Sequence, residues 1–370
     1  MQPKKRILVI AGGTYISGAE KVTLDVVQGF KENGHEVHCM VSGWNNGDFI
    51  DQLKSLHINH TAIKLGWYYT SKFLWSLDSL VNYPKAIFSF IKLQKKFKPD
   101  VVYTISFRQI VLLYTFFTNN IIYHIHDQNS NSRQSKFFLK LIDKKVKKYI
   151  TVSKFIQQDL INCNIAFKKI SVIYNGIEIL PLPEKTNQPK DIFSIGIIGQ
   201  VIHRKGHLVA IDALKKLVDK HLKVQLVIVG VGDTAFEQEV KQKIKQDGLE
   251  NYVIWKGFIK NIEIIYQGLD VVLAPTQNEE PFGLMACEAN MLGIPVIVAN
   301  KGGLMEIVED GLNGYRIDAT NATQIAEAIE KLYHNPLIRE QMGINGRNKT
   351  NTLFSKKAMN SSIQQIILQS

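Results

Sequence analysis

The feature that most constrains this chain is a recurring alternation of short apolar runs and helical stretches, carried through twice. The first series runs from Lys5 to Ile10 through G-H-E-V-H-C-M-V, P-D-V-V-Y-T-I-S, I-I-Y-H-I-H, K-Y-I-T-V-S and K-K-I-S-V-I-Y-N-G-I. The second begins at F-S-I-G-I-I-G and continues through V-Q-L-V-I-V-G-V-G-D, V-I-W-K-G-F, V-V-L-A-P-T and I-P-V-I-V-A-N. Unbroken apolar runs suit strands buried on both faces, and parallel strands need a crossover helix between them. An α/β architecture with two doubly wound sheets is therefore expected. Leu180 to Asp191, with Pro181, Pro183 and Pro189, reads as a linker. The domains are then 1–179 and 180–355, and a ligand is expected in a cleft at the C-terminal strand edges.

The chain has 370 residues, 45% hydrophobic and 21% charged, which is the composition of a folded protein with room for two domains. M-Q-P-K-K-R leads directly into a strand rather than a signal-peptide core, and Arg108, Gln109 and Asn119-Asn120 interrupt the longest apolar region. A cytoplasmic protein, soluble or peripheral on the inner membrane face, is expected. Cys39, Cys163 and Cys287 are odd in number and scattered, against a disulfide framework. Charge is unevenly divided: residues 1–175 carry 24 Lys and Arg against 11 Asp and Glu, a net of +13, whereas residues 176–370 carry 21 against 22, a net of −1. The excess points to a polyanionic partner, and composition leaves open an anionic membrane, a nucleic acid or a charged acceptor.

The strongest local signal is E-P-F-G-L-M-A-C-E, from Glu280 to Glu288. Pro281 and Gly283 make its first half a loop, and L-M-A-C-E-A-N-M-L favours a helix from about Gly283. One carboxylate is then on a loop and the other inside a helix. Between them, the helix N-terminus offers unpaired N–H groups and a positive dipole end, which suit a diphosphate. The plain alternative is a loop-to-helix turn with two surface glutamates.

This stretch, followed by G-I-P-V-I-V-A-N-K-G-G-L-M-E-I-V, resembles the Glu-x7-Glu region of family-four glycosyltransferases, retaining GT-B enzymes that use nucleotide sugars. The resemblance covers nearly the whole chain and is strongest from Gly199 to Gly314. It implies two Rossmann-like domains facing each other across a cleft, with the last helix, 356–370, returning to the first domain. Ser17 to Glu20, S-G-A-E, looks like the family's glycine loop, whose backbone at Gly18 approaches the donor diphosphate; a tight turn without ligand contact is the alternative. Gly199 to His207, G-Q-V-I-H-R-K-G-H, resembles the segment that supplies cations to the diphosphate. Lys205 falls on the family's lysine. Gln200 stands where many relatives have arginine, so Arg204 supplies that charge or else belongs to a solvated face.

By the same resemblance Glu280 binds the donor sugar hydroxyls, Phe282, Gly283 and Leu284 present backbone amides, and Glu288 binds the ribose. Phe258 lies beside the nucleobase or in the core. His126 sits at a strand end, where the family places a histidine facing the transferred sugar. His124 shares its strand face, but no third ligand and no Asp-x-Asp accompanies the pair, so no metal site is expected. The implied catalytic set is His126, Lys205 and Glu280, with a UDP- or GDP-sugar as donor substrate and no cofactor. The function implied is transfer of the sugar to a glycan or lipid-linked acceptor. A GT-B nucleotide-sugar epimerase and a non-catalytic membrane- or nucleic-acid-binding relative are the alternatives, with nucleic acid the less favoured partner. Lys85 to Lys98 and Lys136 to Tyr149 read as basic amphipathic helices suited to anionic membranes or as core helices with solvated lysines. Trp67, Tyr68, Tyr69, Phe73 and Trp75 form an aromatic cluster for sugar, lipid or packing.

Overall fold

A computed structural model describes residues 3–13, 15–44, 47–66, 73–117, 120–128, 132–181 and 191–370. Trp67, Tyr68 and Tyr69, and the prolines Pro183 and Pro189, lie outside the described residues. The chain divides into two compact units, Met1–Gly176 with Lys356–Ser370, and Ile177–Ser355.

The first unit runs β1 (Arg6–Ile10), α1 (Gly18–Glu32), β2 (Glu36–Ser42), α2 (Asp48–Ser55), β3 (Asn59–Ile63), α3 (Phe73–Phe97), β4 (Val101–Thr104), α4 (Phe107–Leu112), β5 (Ile121–Ile125), α5 (Arg133–Ile142), β6 (Val146–Thr151), α6 (Lys154–Asn162) and β7 (Ile170–Val172). Among the described residues these form a seven-stranded parallel sheet ordered β3-β2-β1-β4-β5-β6-β7. Ile7 to Ile10 of the central strand are fully buried, as both-face coverage by helices requires. Strand order reverses direction after β3, and right-handed crossovers then put α3, α4 and α5 on the sheet face opposite α1 and α2.

The second unit runs β8 (Phe193–Ile198), α7 (His207–Asp219), β9 (Val224–Val229), α8 (Thr234–Gln246), β10 (Val253–Gly257), α9 (Ile262–Tyr266), β11 (Val271–Ala274), α10 (Leu284–Met291), β12 (Val296–Ala299), α11 (Leu304–Ile307), β13 (Gly314–Ile317), α12 (Ala322–His334) and α13 (Pro336–Leu353). Its six strands are parallel and ordered β10-β9-β8-β11-β12-β13. Two Rossmann-like doubly wound sheets result. The last helix, α14 (Lys356–Leu368), packs against α1: Lys356 pairs with Asp25 at 2.7 Å, and Gln364 meets His35 at 2.9 Å. Met359, Ile363 and Ile367 form its buried face. The three cysteines are buried free thiols.

Two details differ from the sequence expectation. Lys136 to Tyr149 is not one helix: α5 ends at Ile142, and β6 starts at Val146. The chain turns here because Tyr149, Ile150 and Thr151 pair with both β5 and β7, so tertiary pairing overrides the helical pattern. Strands β3 and β13 were not expected. Both are sheet edges with polar sequences, N-H-T-A-I and G-Y-R-I, and an edge strand needs no continuous apolar run.

Candidate functional site

In the second unit the sheet order changes direction between β8 and β11, the place where open α/β sheets form a crevice for ligands. The loops that follow these two strands carry Lys205 and Glu280. After β8, a single 3₁₀ turn, His203–Lys205, is stopped by Gly206, which caps α7 in a left-handed conformation with φ 75°. No side chain fits at Gly206, because its Cβ would run into the Pro275 carbonyl beyond β11. Gln277 N–H donates to the Arg204 carbonyl at 2.7 Å, and this bond stitches the two loops together. Glu280 is fixed from the other side: Gly303 N–H donates to its carbonyl at 2.7 Å, and a Cβ at Gly302 would lie 2.8 Å from its backbone nitrogen. The K-G-G run after β12 thus clamps the acidic loop.

The side chains converge accordingly. Lys205 Nζ donates to Glu280 Oε1, and lies 3.2 Å from Oε2; Arg204 Nη1 reaches both oxygens at 3.4 Å. The Glu280 side chain is only 10% exposed, while Arg204 is 44% exposed. Arg204 therefore takes part in the cluster rather than standing on a purely solvated face. A carboxylate this buried is thus paired with two cations, and the pairing fixes the cations at the mouth of the crevice.

Glu288 lies inside α10 and is also nearly buried. Tyr266 Oη donates to its Oε2 at 2.9 Å and also lies 3.1 Å from the Met285 carbonyl. Burial, with the neighbouring carboxylate, raises the Tyr266 phenol well above its ordinary range, so it stays a donor. Tyr266 is a site residue that motif reading missed. Its only signal is an aromatic ahead of a strand, which usually means core. Phe282 is buried and stacks edge-on against Phe354, with ring centroids 5.6 Å apart, so its side chain anchors the loop while Gly283 and Leu284 open α10. Phe258 is 74% exposed, which rules out the core alternative for it. It follows Gly257, where β10 ends in a left-handed turn and the chain leaves the sheet.

The first unit has its own cavity of about 820 Å³, at the C-terminal ends of β1 to β5. Gly12 and Gly13 contribute after β1, Trp44 after β2, Ser106 after β4 and His126 after β5, while Trp75 and Asp78 close it from α3. At the start of α1, Ala19 and Glu20 form the wall, and Gly18 does not. Ser17 caps that helix, its N–H donating to Glu20 Oε2 at 3.3 Å. Gly12 and Gly13, directly after β1, line the cavity instead, and a glycine pair directly after a strand was the available signal for them.

His126 is part-buried, and its Nε2 is sealed from solvent with no hydrogen-bond partner. Desolvation lowers its pKa to about 4, so the ring is neutral near pH 7. His124 stacks beside it at 4.2 Å between centroids and exchanges a hydrogen bond with Tyr103 Oη at 2.5 Å. Burial, then the neighbouring His126, keeps His124 well below its ordinary pKa. No cluster of three or more His, Cys, Asp or Glu residues suited to a metal occurs among the described residues.

Comparison with known proteins places this geometry in a family. An uncharacterized glycosyltransferase of Methanocaldococcus jannaschii is 31% identical over 224 residues, 56% of each chain. The capsular polysaccharide biosynthesis glycosyltransferase CapM of Staphylococcus aureus is 29% identical over 221 residues, 56% of this chain and 58% of its own. The matches thus span under two thirds of these relatives' length. The crystal structure of a Rickettsia africae glycosyltransferase superposes with a TM-score of 0.83 at 23% identity, covering 98% of this chain and 97% of that one. Anabaena HepE, solved in complex with UDP-glucose, gives 0.80 at 22% identity over 99% of this chain and 100% of its own. These likenesses establish the GT-B fold. Residues 16–179 match the model of Glycosyltransferase Family 4 and residues 180–349 that of Glycosyl transferases group 1, and the chain belongs to this group 1, family-four lineage.

Proposed function

We propose that the protein is a retaining, metal-independent hexosyltransferase that moves a sugar from a nucleotide diphosphate donor, a UDP- or GDP-sugar, to a glycan or lipid-linked acceptor. The observation that carries this reading is the Arg204–Lys205–Glu280 cluster at the sheet's direction change, two cations and a carboxylate fixed by clamped loops. Lys205 and Arg204 neutralise the diphosphate, and Glu280, released from them by the bound anion, accepts the sugar hydroxyls. The N-terminus of α10, with Gly283 and Leu284, adds backbone N–H groups, and Glu288, oriented by Tyr266, receives the ribose. The exposed ring of Phe258 is available to the base. Neutral His126 hydrogen-bonds the transferred sugar. The nucleotide sugar bound by HepE and the polysaccharide role in CapM's name favour this donor class and a cell-surface glycan product.

No side chain among the described residues stands out as an enzymic nucleophile, and a front-face transfer is the reading the family resemblance favours. The bond from the anomeric carbon to the phosphate oxygen breaks, the acceptor oxygen bonds to that carbon on the same face, and the acceptor proton passes to the departing phosphate. The test is a panel of nucleotide sugars screened for binding and slow hydrolysis, followed by Glu280→Gln and Lys205→Ala on the donor that binds. Each change is expected to lower transfer by at least about tenfold, the equivalent of about 1.4 kcal/mol of barrier. The thermal midpoint should stay near wild type for Glu280→Gln, whereas Lys205→Ala should lower it somewhat, because it leaves a nearly buried carboxylate with Arg204 alone. Near-normal transfer in both variants removes the donor-site assignment.

A further inference from the structure

Helix α3 is unusual in what it leaves uncovered. Its inner side is core: Ser76, Ser79, Ala86, Phe90 and Leu93 are buried. Its outer side carries Leu74, Leu77, Val81 and Phe88, whose spacings of three, four and seven residues keep them on one helical face. All four are exposed, Leu74 at 76%, Val81 at 71% and Phe88 at 68%. Single exposed apolar residues are ordinary, but an aligned row of large ones on a folded domain marks an interaction surface. Lysines share the same face: Lys85 and Lys92 fall in line with the row, and Lys95 and Lys96 follow, all exposed.

Helix α5 repeats the pattern. Arg133, Lys136, Phe137 and Lys140 are exposed on one face, with Phe137 at 66%, and α5 contains no acid. Because α3 and α5 lie on the same face of the sheet, their outer sides both point away from it in the same sense. We infer that this surface docks on an anionic lipid bilayer, with the apolar row entering the headgroup boundary and the lysines meeting lipid phosphates. Charge decides the occupant. A second copy would bring lysine against lysine, whereas an anionic leaflet complements the net +13 of residues 1–175. No helix among the described residues is long and apolar enough to cross a membrane, so the proposed contact is made by this surface lying on the bilayer.

The same helix lines the cavity of this unit through Trp75, Asp78 and Ser79. An acceptor anchored in the bilayer would reach the cavity along the helix that holds the protein to the lipid. The docking itself stands on the surface alone and does not depend on the transfer reaction.

Co-sedimentation of the full chain with vesicles of phosphatidylglycerol and phosphatidylcholine, beside phosphatidylcholine alone, tests it. Wild type should sediment with the anionic vesicles at low salt, remain in solution with neutral ones, and release as salt rises. Lysines near an anionic surface count for on the order of fivefold each, so changing Lys85, Lys92, Lys95 and Lys96 to glutamine should reduce partitioning by well over about tenfold. Val81→Ser with Phe88→Ser should do so too while keeping the wild-type circular dichroism and nucleotide binding, because both side chains are already in water. Wild type that ignores anionic vesicles at low salt overturns the inference. So does a concentration-dependent dimer, seen by light scattering, that the serine pair abolishes without changing vesicle binding.

Discussion

His126 shows how one residue's surroundings set its chemistry. Its ring nitrogen is sealed without a partner, and desolvation takes its pKa from an ordinary 6.5 to about 4. The folded chain keeps this imidazole neutral while the unfolded chain takes up a proton below about pH 6.5. The unfolded state therefore binds more protons in that window, so stability falls as pH drops from about 6.5 towards 4. His126→Gln should flatten this part of the pH–stability curve by on the order of 2 kcal/mol, read from denaturant midpoints at successive pH values. An unchanged slope would mean that the ring is solvated in the folded protein. The histidine steps that remain belong to His38, His124 and His207, which burial also lowers, the last to about 4. Near neutral pH, transfer should show no ionisation attributable to His126.

At the scale of elements, the site depends on loops that only glycine allows to approach. Gly206→Ala puts a Cβ on the Pro275 carbonyl and forces a left-handed conformation, φ 75°, on a residue that disfavours it. A loss of about 2 kcal/mol or more is expected, together with weaker nucleotide binding, since Arg204 and Lys205 immediately precede it. Calorimetry and a nucleotide titration check both; a stable variant with normal binding would show the junction to be slack. Such junctions explain what the sequence makes legible. The central strands announce themselves because burial on both faces demands unbroken apolar runs, and α10 announces itself by Pro281 and Gly283. Edge strands β3 and β13 do not, since half of their environment is solvent. The Lys144 to Lys148 run misleads because helix periodicity and strand pairing compete there, and pairing to β5 and β7 wins. Three of its lysines are also occupied: Lys145 Nζ donates to the Phe117 carbonyl at 2.7 Å, Lys148 Nζ to the Lys168 carbonyl at 3.1 Å and Lys147 Nζ to the Gln369 carbonyl at 3.4 Å. Tyr266 escapes sequence reading because its partner, Glu288, meets it only through the fold.

Across the whole molecule, charge is segregated, and the segregation bears on how a diphosphate is held. Residues 176–370 have a net of −1, so this half has no diffuse positive field to offer a donor. Its cations must act locally, and Arg204 and Lys205 do, gathered on one buried carboxylate by loops from two strands. On the proposed function, these cations at short range, partly shielded from water, would neutralise a diphosphate without the divalent ion that a solvated nucleotide would otherwise carry. The cations are also already ordered on Glu280, so the proposed donor binding would need little reorganisation of them. Transfer is therefore expected to proceed at an unchanged rate in excess EDTA, measured as release of the free nucleoside diphosphate in the presence of acceptor. Loss of activity in chelator with recovery on Mg²⁺ or Mn²⁺ would overturn this, and would mean that Arg204 and Lys205 position the donor while a metal carries the charge of the leaving group.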